Sequence, residues 1–168
     1  MQTFELKSVD QTILNRMVKK HSIQIQRLIP NADIHHVGST AVPNSLTKGD
    51  LDFQVRVKQD DFQPAKQSLL SLYELNTGSS QTSFFSAFEI DDTLPIGIQL
   101  TVIDSEIDHF WKVTKYLIEN PTIQEQYNQL KRSNNGQPMD NYRQKKSAFI
   151  ESILESEAFI HFSRTLTE

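Results

Sequence analysis

Hydrophobic and polar positions along the chain follow two different periods. Over residues 8–30 the apolar residues recur at helical spacing, which predicts an amphipathic helix that stops near Pro30. Apolar and polar residues then alternate, as they do in strands with one buried face. This alternation predicts four strands, at residues 33–37, 50–57, 82–90 and 96–103, with the last two joined as a hairpin through residues 91–95.

Helical spacing returns after the second strand and again after the fourth. One helix is predicted to follow residues 59–61. Further helices are predicted from Asp104 to about Phe162, with breaks at Pro121 and at a loop of residues 133–138. This order predicts an α+β fold with a mixed sheet flanked by helices and a helical C-terminal part. A chain of 168 residues is expected to form one domain, residues 1–168.

Two carboxylates occupy the start of the second strand. Side chains alternate between the faces of a strand, so Asp50 and Asp52 share one face with Gln54 and Arg56. Two residues of strand rise separate their Cα atoms by about 6.5 Å, and carboxylates converging from that spacing can bind a divalent cation. The alternative is a solvated strand end in which Arg56 is the counter-ion.

A small-residue turn follows the first strand. Gly38 allows close approach of a ligand to the backbone, and Ser39 with the amides after it can donate hydrogen bonds to a phosphate. The same pair is also an ordinary turn followed by a helix cap. Its occurrence one strand before Asp50 and Asp52 favours a phosphate site.

These residues resemble the signature of the nucleotidyltransferase superfamily. More narrowly, the segment 36–43, Lys48 and Asp52 resemble the GrpB family, and the similarity continues through Asn120-Pro121, Leu130-Lys131 and Phe149 to span roughly residues 15–155. The family has no firmly assigned reaction, and some members are fused to dephospho-coenzyme A kinase. The resemblance implies a nucleotidyltransferase-like fold with catalytic and metal-binding Asp50 and Asp52, and nucleotide- or phosphate-binding Gly38, Ser39, Thr40, Lys48, Tyr127, Lys131, Tyr142 and Lys146.

The tyrosines and lysines of the C-terminal half form two similar pairs. Tyr127 precedes Lys131 by four residues, and Tyr142 precedes Lys146 by four, so each pair occupies one face of a helix. Such a pair can clamp a phosphate or stack a base. Alternatively, the lysine stems and tyrosine rings only cover the core of an amphipathic helix.

In the superfamily a later strand supplies a third carboxylate. This chain departs from that pattern. In the strand 96–103 the residues of suitable parity are Gln99 and Thr101, both neutral, and GrpB relatives usually have histidines in this region. Glu89 and Asp104 are candidate replacements. Conversely, many relatives have an apolar residue in place of Asp50, so this chain retains the superfamily's first pair.

Adjacent histidines precede the turn. His35 and His36 face opposite sides of the first strand, so at most one of them reaches the site. We expect His36 to have a hydrogen-bonded structural role. The chain contains no P-loop, dinucleotide-binding, zincin or hydrolase-elbow motif, which disfavours those classes of enzyme.

Composition limits the cellular compartment and the binding partners that we expect for this protein. The chain has no cysteine, no apolar run long enough for a bilayer and no leader-like start, so we expect a cytoplasmic protein that does not bind membranes. A net charge of −4 makes nucleic acid an unlikely partner, although residues 112–146 hold seven basic and three acidic residues. The charge pattern does not determine the oligomeric state.

Three functions are compatible with these features. The first is a nucleotidyltransferase-like protein that binds a nucleoside triphosphate through Mg²⁺ or Mn²⁺, with an unknown acceptor. The second is a non-catalytic module that binds a nucleotide or a coenzyme A precursor, as the neutral Gln99 and Thr101 suggest. The third, supported only by the basic segment, is nucleotidyl transfer directed to RNA.

Overall fold

A five-stranded mixed sheet lies at the centre of the computed structural model, which describes residues 1–166. Its strands run in the order β1-β2-β5-β4-β3, with β2 and β5 parallel and all other neighbours antiparallel. The strands are β1 (Asp33–Val37), β2 (Leu51–Val57), β3 (Glu74–Leu75), β4 (Phe85–Asp91) and β5 (Pro95–Val102). The predicted α+β class and the predicted hairpin are confirmed.

Within residues 1–166 six α-helices flank the sheet: α1 (Gln11–Leu28), α2 (Phe62–Leu69), α3 (Phe110–Glu119), α4 (Pro121–Asn134), α5 (Met139–Glu155) and α6 (Glu157–Thr165). Short 3₁₀ turns occupy Ser39–Ala41 and Gln59–Asp61. Asp10 caps α1 by accepting a hydrogen bond from the Ile13 amide. None of the helices within residues 1–166 has the length and apolar composition needed to cross a membrane.

The two faces of β2 carry different kinds of side chain. Leu51, Phe53 and Val55 are fully buried on one face, where they pack in the main apolar core with residues of α1 and α2. The opposite face carries Gln54 and Arg56, which are also almost completely buried. The polar face of the sheet is therefore covered by protein, and its polar groups need partners inside the fold.

Arg56 finds its partners away from the two aspartates of the predicted site. Its guanidinium donates to both carboxylate oxygens of Asp108 at 2.7 Å and to Asp33 at 2.7 Å. Gln54 joins the network by donating to Asp108 at 2.8 Å and accepting the Trp111 amide at 2.9 Å. The interpretation of Arg56 as the counter-ion of Asp50 and Asp52 is thus corrected, because a buried guanidinium pairs with the bidentate carboxylate beside it.

This network also explains why α3 begins later than predicted. Asp104 adopts a positive φ of 65° and its amide donates to Asp108, so the chain turns after β5 before it becomes helical at Phe110. The predicted final helix is likewise two helices. Ser156 ends α5 and caps α6, accepting the Phe159 amide at 3.2 Å.

The first residues of the chain form an extended strap beside α5. The Phe4 amide donates to the Gln137 carbonyl at 2.9 Å, and the Gly136 amide donates to the Phe4 carbonyl at 2.8 Å. Further along, the Lys7 amide donates to the Thr47 carbonyl at 2.9 Å. The strap therefore links the turn between α4 and α5 to the connector that precedes β2.

Candidate functional site

A cavity of about 550 Å³ opens between the start of β2, the turn after β1 and the helices α3, α4 and α5. Its volume is typical of small-ligand sites. Nine of the ten residues that the sequence singled out line it. They are Gly38, Ser39, Lys48, Asp50, Asp52, Tyr127, Lys131, Tyr142 and Lys146.

Thr40 is the predicted residue that does not line this cavity. Its hydroxyl instead pairs with His36 Nε2 at 2.9 Å. Burial lowers the pKa of His36 to about 4, so its imidazole is neutral at pH 7. His35 stacks on Trp111 with ring centroids 5.2 Å apart. The expected structural role of His36 matches this geometry, and Thr40 acts as its partner.

Asp52 sits between two glycine backbones. A methyl group on Gly38 would lie 2.9 Å from Asp52 Oδ2, and one on Gly97 would lie 2.5 Å from Oδ1. Gly97 is the register partner of Asp52 in the parallel pairing of β2 with β5. Burial raises the pKa of Asp52 to about 6, even though part of the residue faces the cavity, and a hydrogen bond from Gln99 opposes the rise.

Asp50 stands at the edge of the cavity and is paired differently. Its carboxylate forms an ion pair with Lys48, two residues earlier. Both side chains are about one-third exposed, so solvent screens the pair. Lys48 is therefore held at the cavity by Asp50, where it balances one of the two carboxylates.

Lys131 is a buried cation held by three oxygen atoms. Its Nζ donates to Ser39 Oγ at 2.8 Å, to Ser45 Oγ at 2.9 Å and to the Leu46 carbonyl at 2.7 Å. The residue is 1% exposed, and burial, followed by repulsion from Lys146, lowers its pKa to about 7. Lys131 thereby ties the turn after β1 to the connector before β2.

The two tyrosines meet at the cavity wall with their ring faces covered. Their hydroxyl oxygens lie 3.3 Å apart. The Tyr142 ring stacks on Phe4 at a centroid distance of 3.7 Å, and the Tyr127 ring lies between Phe149, at 5.0 Å, and the Lys131 ammonium, at 3.9 Å. In this arrangement neither ring is an open platform for a base, so the stacking role expected from the sequence lacks a free surface.

Neither candidate for a third carboxylate reaches the cavity. Glu89 is exposed on β4 opposite Gly97, and Asp104 is exposed at the end of β5, whereas the neutral Gln99 lines the cavity. Within residues 1–166 no group of three His, Cys, Asp or Glu side chains is arranged to hold a metal ion. Asp50 and Asp52 alone supply too few ligands for a two-metal centre.

Helix α3 forms the wall that the sequence did not predict. His109 and Phe110, at its start, and Thr114, one turn later, line the cavity. The Gly38 amide donates to the Thr114 hydroxyl at 3.3 Å, which couples the helix to the turn. No local signal identifies these residues or Phe4, because their position depends on how α3 and the strap pack against the sheet.

The chain is similar to known proteins over most of its length. A family model described as GrpB protein matches residues 5–156. A UPF0157 protein of Vibrio cholerae is 32% identical over 145 residues, which make up 86% of this chain and 77% of the relative. A crystal structure of conserved protein GrpB from Enterococcus faecalis superimposes with a TM-score of 0.61 and 23% identity, covering 76% of this chain and 81% of that chain.

The fold is also that of a nucleotide-polymerising enzyme. The Cid1 poly(U) polymerase with bound MgGTP superimposes with a TM-score of 0.51 and 14% identity, covering 74% of this chain and 42% of that chain. At this level of identity the likeness shows the fold alone. The predicted nucleotidyltransferase-like fold is confirmed.

Proposed function

The chain belongs to the GrpB family, and we propose that its cavity binds a nucleoside triphosphate with one divalent cation, Mg²⁺ or Mn²⁺. We further propose that the bound nucleotide donates its nucleotidyl group to an acceptor. One observation carries this proposal. Two carboxylates and four basic side chains, contributed by distant parts of the chain, line a single cavity beside the Gly38-Ser39 turn.

The charges of the cavity suit a phosphorylated ligand. The basic residues that line it are Lys48, Lys131, Arg143 and Lys146, against Asp50 and Asp52. Lys48 pairs with Asp50, and Lys131 is buried, so Lys146 is the main cation open to a phosphate. Because Lys131 Nζ donates to Ser39 Oγ, the serine hydroxyl hydrogen is available to a phosphate oxygen. Lys146 is exposed on α5 and free to move towards a ligand. These groups would bind the β- and γ-phosphates.

Asp50 and Asp52 would hold the cation. A Mg²⁺ ion bound there would neutralise phosphate charge and orient the α-phosphate. Asp52 is held in place by the close approach of Gly38 and Gly97 and by the hydrogen bond from Gln99. In the transfer, an acceptor oxygen would attack the α-phosphorus in line, the bond to the β-phosphate would break, and pyrophosphate would leave.

Isothermal calorimetry tests the binding step. Wild-type protein is titrated with MgATP, MgGTP, MgCTP and MgUTP, and Asp52→Asn and Asp50→Asn are titrated in parallel. We expect a loss of affinity of at least about ten-fold for Asp52→Asn, because a metal ligand is removed without a change in shape. Asp60→Asn is the matched control, since Asp60 is exposed and lies outside the cavity. Unchanged binding in both site variants would contradict the proposal.

A second candidate function is ligand binding without turnover. The neutral Gln99 in the cavity, in place of a third carboxylate, favours it. The ligand would then be a nucleotide or a coenzyme A precursor. Thermal stabilisation by such a ligand without pyrophosphate release would support this function, and measurable pyrophosphate release would reject it.

A nucleic-acid acceptor is less well supported. Several cations of the basic segment already have partners: Arg132 pairs with Glu125 at 2.7 Å, Arg143 pairs with Asp140 at 3.4 Å, and Lys131 is buried. RNA binding needs basic groups that remain free for phosphates. We therefore propose a small-molecule acceptor.

A further inference from the structure

The cavity has two chemically different walls. The wall formed by α4 and α5 contributes three basic side chains, Lys131, Arg143 and Lys146. The wall formed by α3 and the residue before it contains His109, Phe110, Val113, Thr114 and Leu117, none with a permanent charge. A nucleotide has the same division between charged phosphates and a neutral aromatic base.

The aromatic side chains of the cavity differ in how much of their surface is open. Phe4, Tyr127 and Tyr142 are 1%, 6% and 4% exposed. By contrast, Phe110 and His109 are both partly exposed while lining the cavity. Among the aromatic cavity residues in the part of the chain that the structure describes, these two alone are not buried.

Two aromatic rings lie beside the ring of Phe110. Its ring lies against Phe85, with centroids 6.2 Å apart and an angle of 26°, and His109 lies 4.9 Å away at 32°. Burial lowers the pKa of His109 below its usual value, which keeps the imidazole neutral at pH 7. A neutral imidazole offers one hydrogen-bond donor and one acceptor, as the edge of a base requires.

The position of these rings is determined by the buried network under α3. Gln54 accepts the Trp111 amide at 2.9 Å, and Gln54 lies two residues beyond Asp52 on the same face of β2. The first turn of α3 is therefore anchored to the strand that carries Asp52. Phe110 is held one residue before this anchor.

From this arrangement we propose a nucleobase subsite, formed by Phe110 and His109, in which the base stacks on the Phe110 ring and His109 binds its edge. The inference rests on the proposed function and deepens it, because it orients the nucleotide with its base at α3 and its terminal phosphates at Ser39 and Lys146. Tyr142, which the sequence suggested as a stacking surface, is excluded by its contact with Phe4.

Two kinds of ligand distinguish binding of the base from binding of the phosphates. Calorimetry measures the affinity for the four Mg-nucleoside triphosphates and for inorganic tripolyphosphate with Mg²⁺, which has no base. Phe110→Leu keeps apolar volume without a ring, so we expect at least about a five-fold loss of affinity for the nucleotide that binds wild type best. Tripolyphosphate binding is expected to change less than two-fold. His109→Ala is also expected to weaken nucleotide binding more than tripolyphosphate binding, and to change the preference among the four bases.

Phe162→Leu is the control for loss of a phenyl ring, because Phe162 packs on Tyr116 and does not line the cavity. Lys146→Met is expected to weaken both probes. Far-UV circular dichroism and the midpoint of urea unfolding show whether each variant folds. The subsite is rejected if Phe110→Leu weakens both probes equally or neither, or if Tyr142→Leu alone shows the selective loss. If wild type binds neither probe, the proposed function fails and the subsite fails with it.

Discussion

The ammonium of Lys131 donates to the hydroxyl of Ser39 across 2.8 Å, joining two residues that are 92 positions apart in the chain. The sequence suggested both as phosphate ligands. The structure gives Lys131 a further role, since the same ammonium also binds Ser45 and the Leu46 carbonyl. Lys131 positions the turn through which Ser39 faces the cavity.

Replacing Lys131 by Met is expected to destabilise the fold by about 1–3 kcal/mol, because three oxygen atoms lose a buried donor. Urea unfolding at pH 7.5 measures the change. Lys145→Met is the matched control. Lys145 is exposed and lies outside the cavity, so its loss is expected to change stability by less than about 0.5 kcal/mol. Equal stability of the two variants would contradict the positioning role.

Asp52→Asn is expected to stabilise the protein while it weakens nucleotide binding. The pKa of Asp52 is raised to about 6 by burial. At pH 7.5 its carboxylate is ionised in both states, but only the folded state removes it from water. Removing that charge is expected to add about 3 kcal/mol to the free energy of unfolding. Because the group is protonated in both states at low pH, the gain should vanish as the pH falls towards 3.5. A variant that is less stable than wild type at pH 7.5 would overturn this explanation.

Asp108→Ala is expected to be strongly destabilising. The variant leaves the buried guanidinium of Arg56 without its bidentate partner and removes an acceptor from Gln54, at a cost of about 3–5 kcal/mol. Asp140→Ala breaks the exposed pair with Arg143 and is expected to cost less than about 0.5 kcal/mol. Chemical denaturation of both variants makes the comparison, and similar losses would argue against a structural role for the buried network.

His36 makes the stability of the fold sensitive to acid. Its pKa is lowered to about 4, so between pH 6.5 and pH 4 the unfolded chain binds a proton that the folded chain does not. Wild type is therefore expected to lose up to about 3 kcal/mol, relative to His36→Gln, as the pH falls through this range. Above pH 7 the difference between the two proteins should be constant. A difference that stays constant down to pH 4 would show that His36 is not desolvated.

Much of the sheet and part of the site are predictable from local pattern. The first strand, residues 33–37, has the predicted limits, and the alternation in β2 correctly separates Leu51, Phe53 and Val55 from Asp52 and Arg56. Period-two alternation is a property of one segment, so sequence alone reports it. The same holds for the break at Pro121, where the ring excludes an internal helical amide.

Contacts between distant segments are not available from such patterns. The start of α3 at Phe110 depends on Asp108 accepting hydrogen bonds from Arg56 and from the turn after β5. Likewise, Gly97 meets Asp52 only because β2 and β5 pair in parallel in this register. The sequence around Asp108 does not indicate that Arg56 is its partner, and the sequence around Gly97 does not indicate Asp52.

The amino-acid sequence by itself determined which face of β2 is apolar, where the small-residue turn lies and that two acids share the strand's polar face, because each follows from the residue spacing within a segment. Only the tertiary structure decided that Arg56 pairs with Asp108, that Phe4 covers Tyr142 and that Phe110 opens onto the cavity. Partner choice among buried charges and rings depends on which segments approach each other, and packing across the whole chain sets that approach.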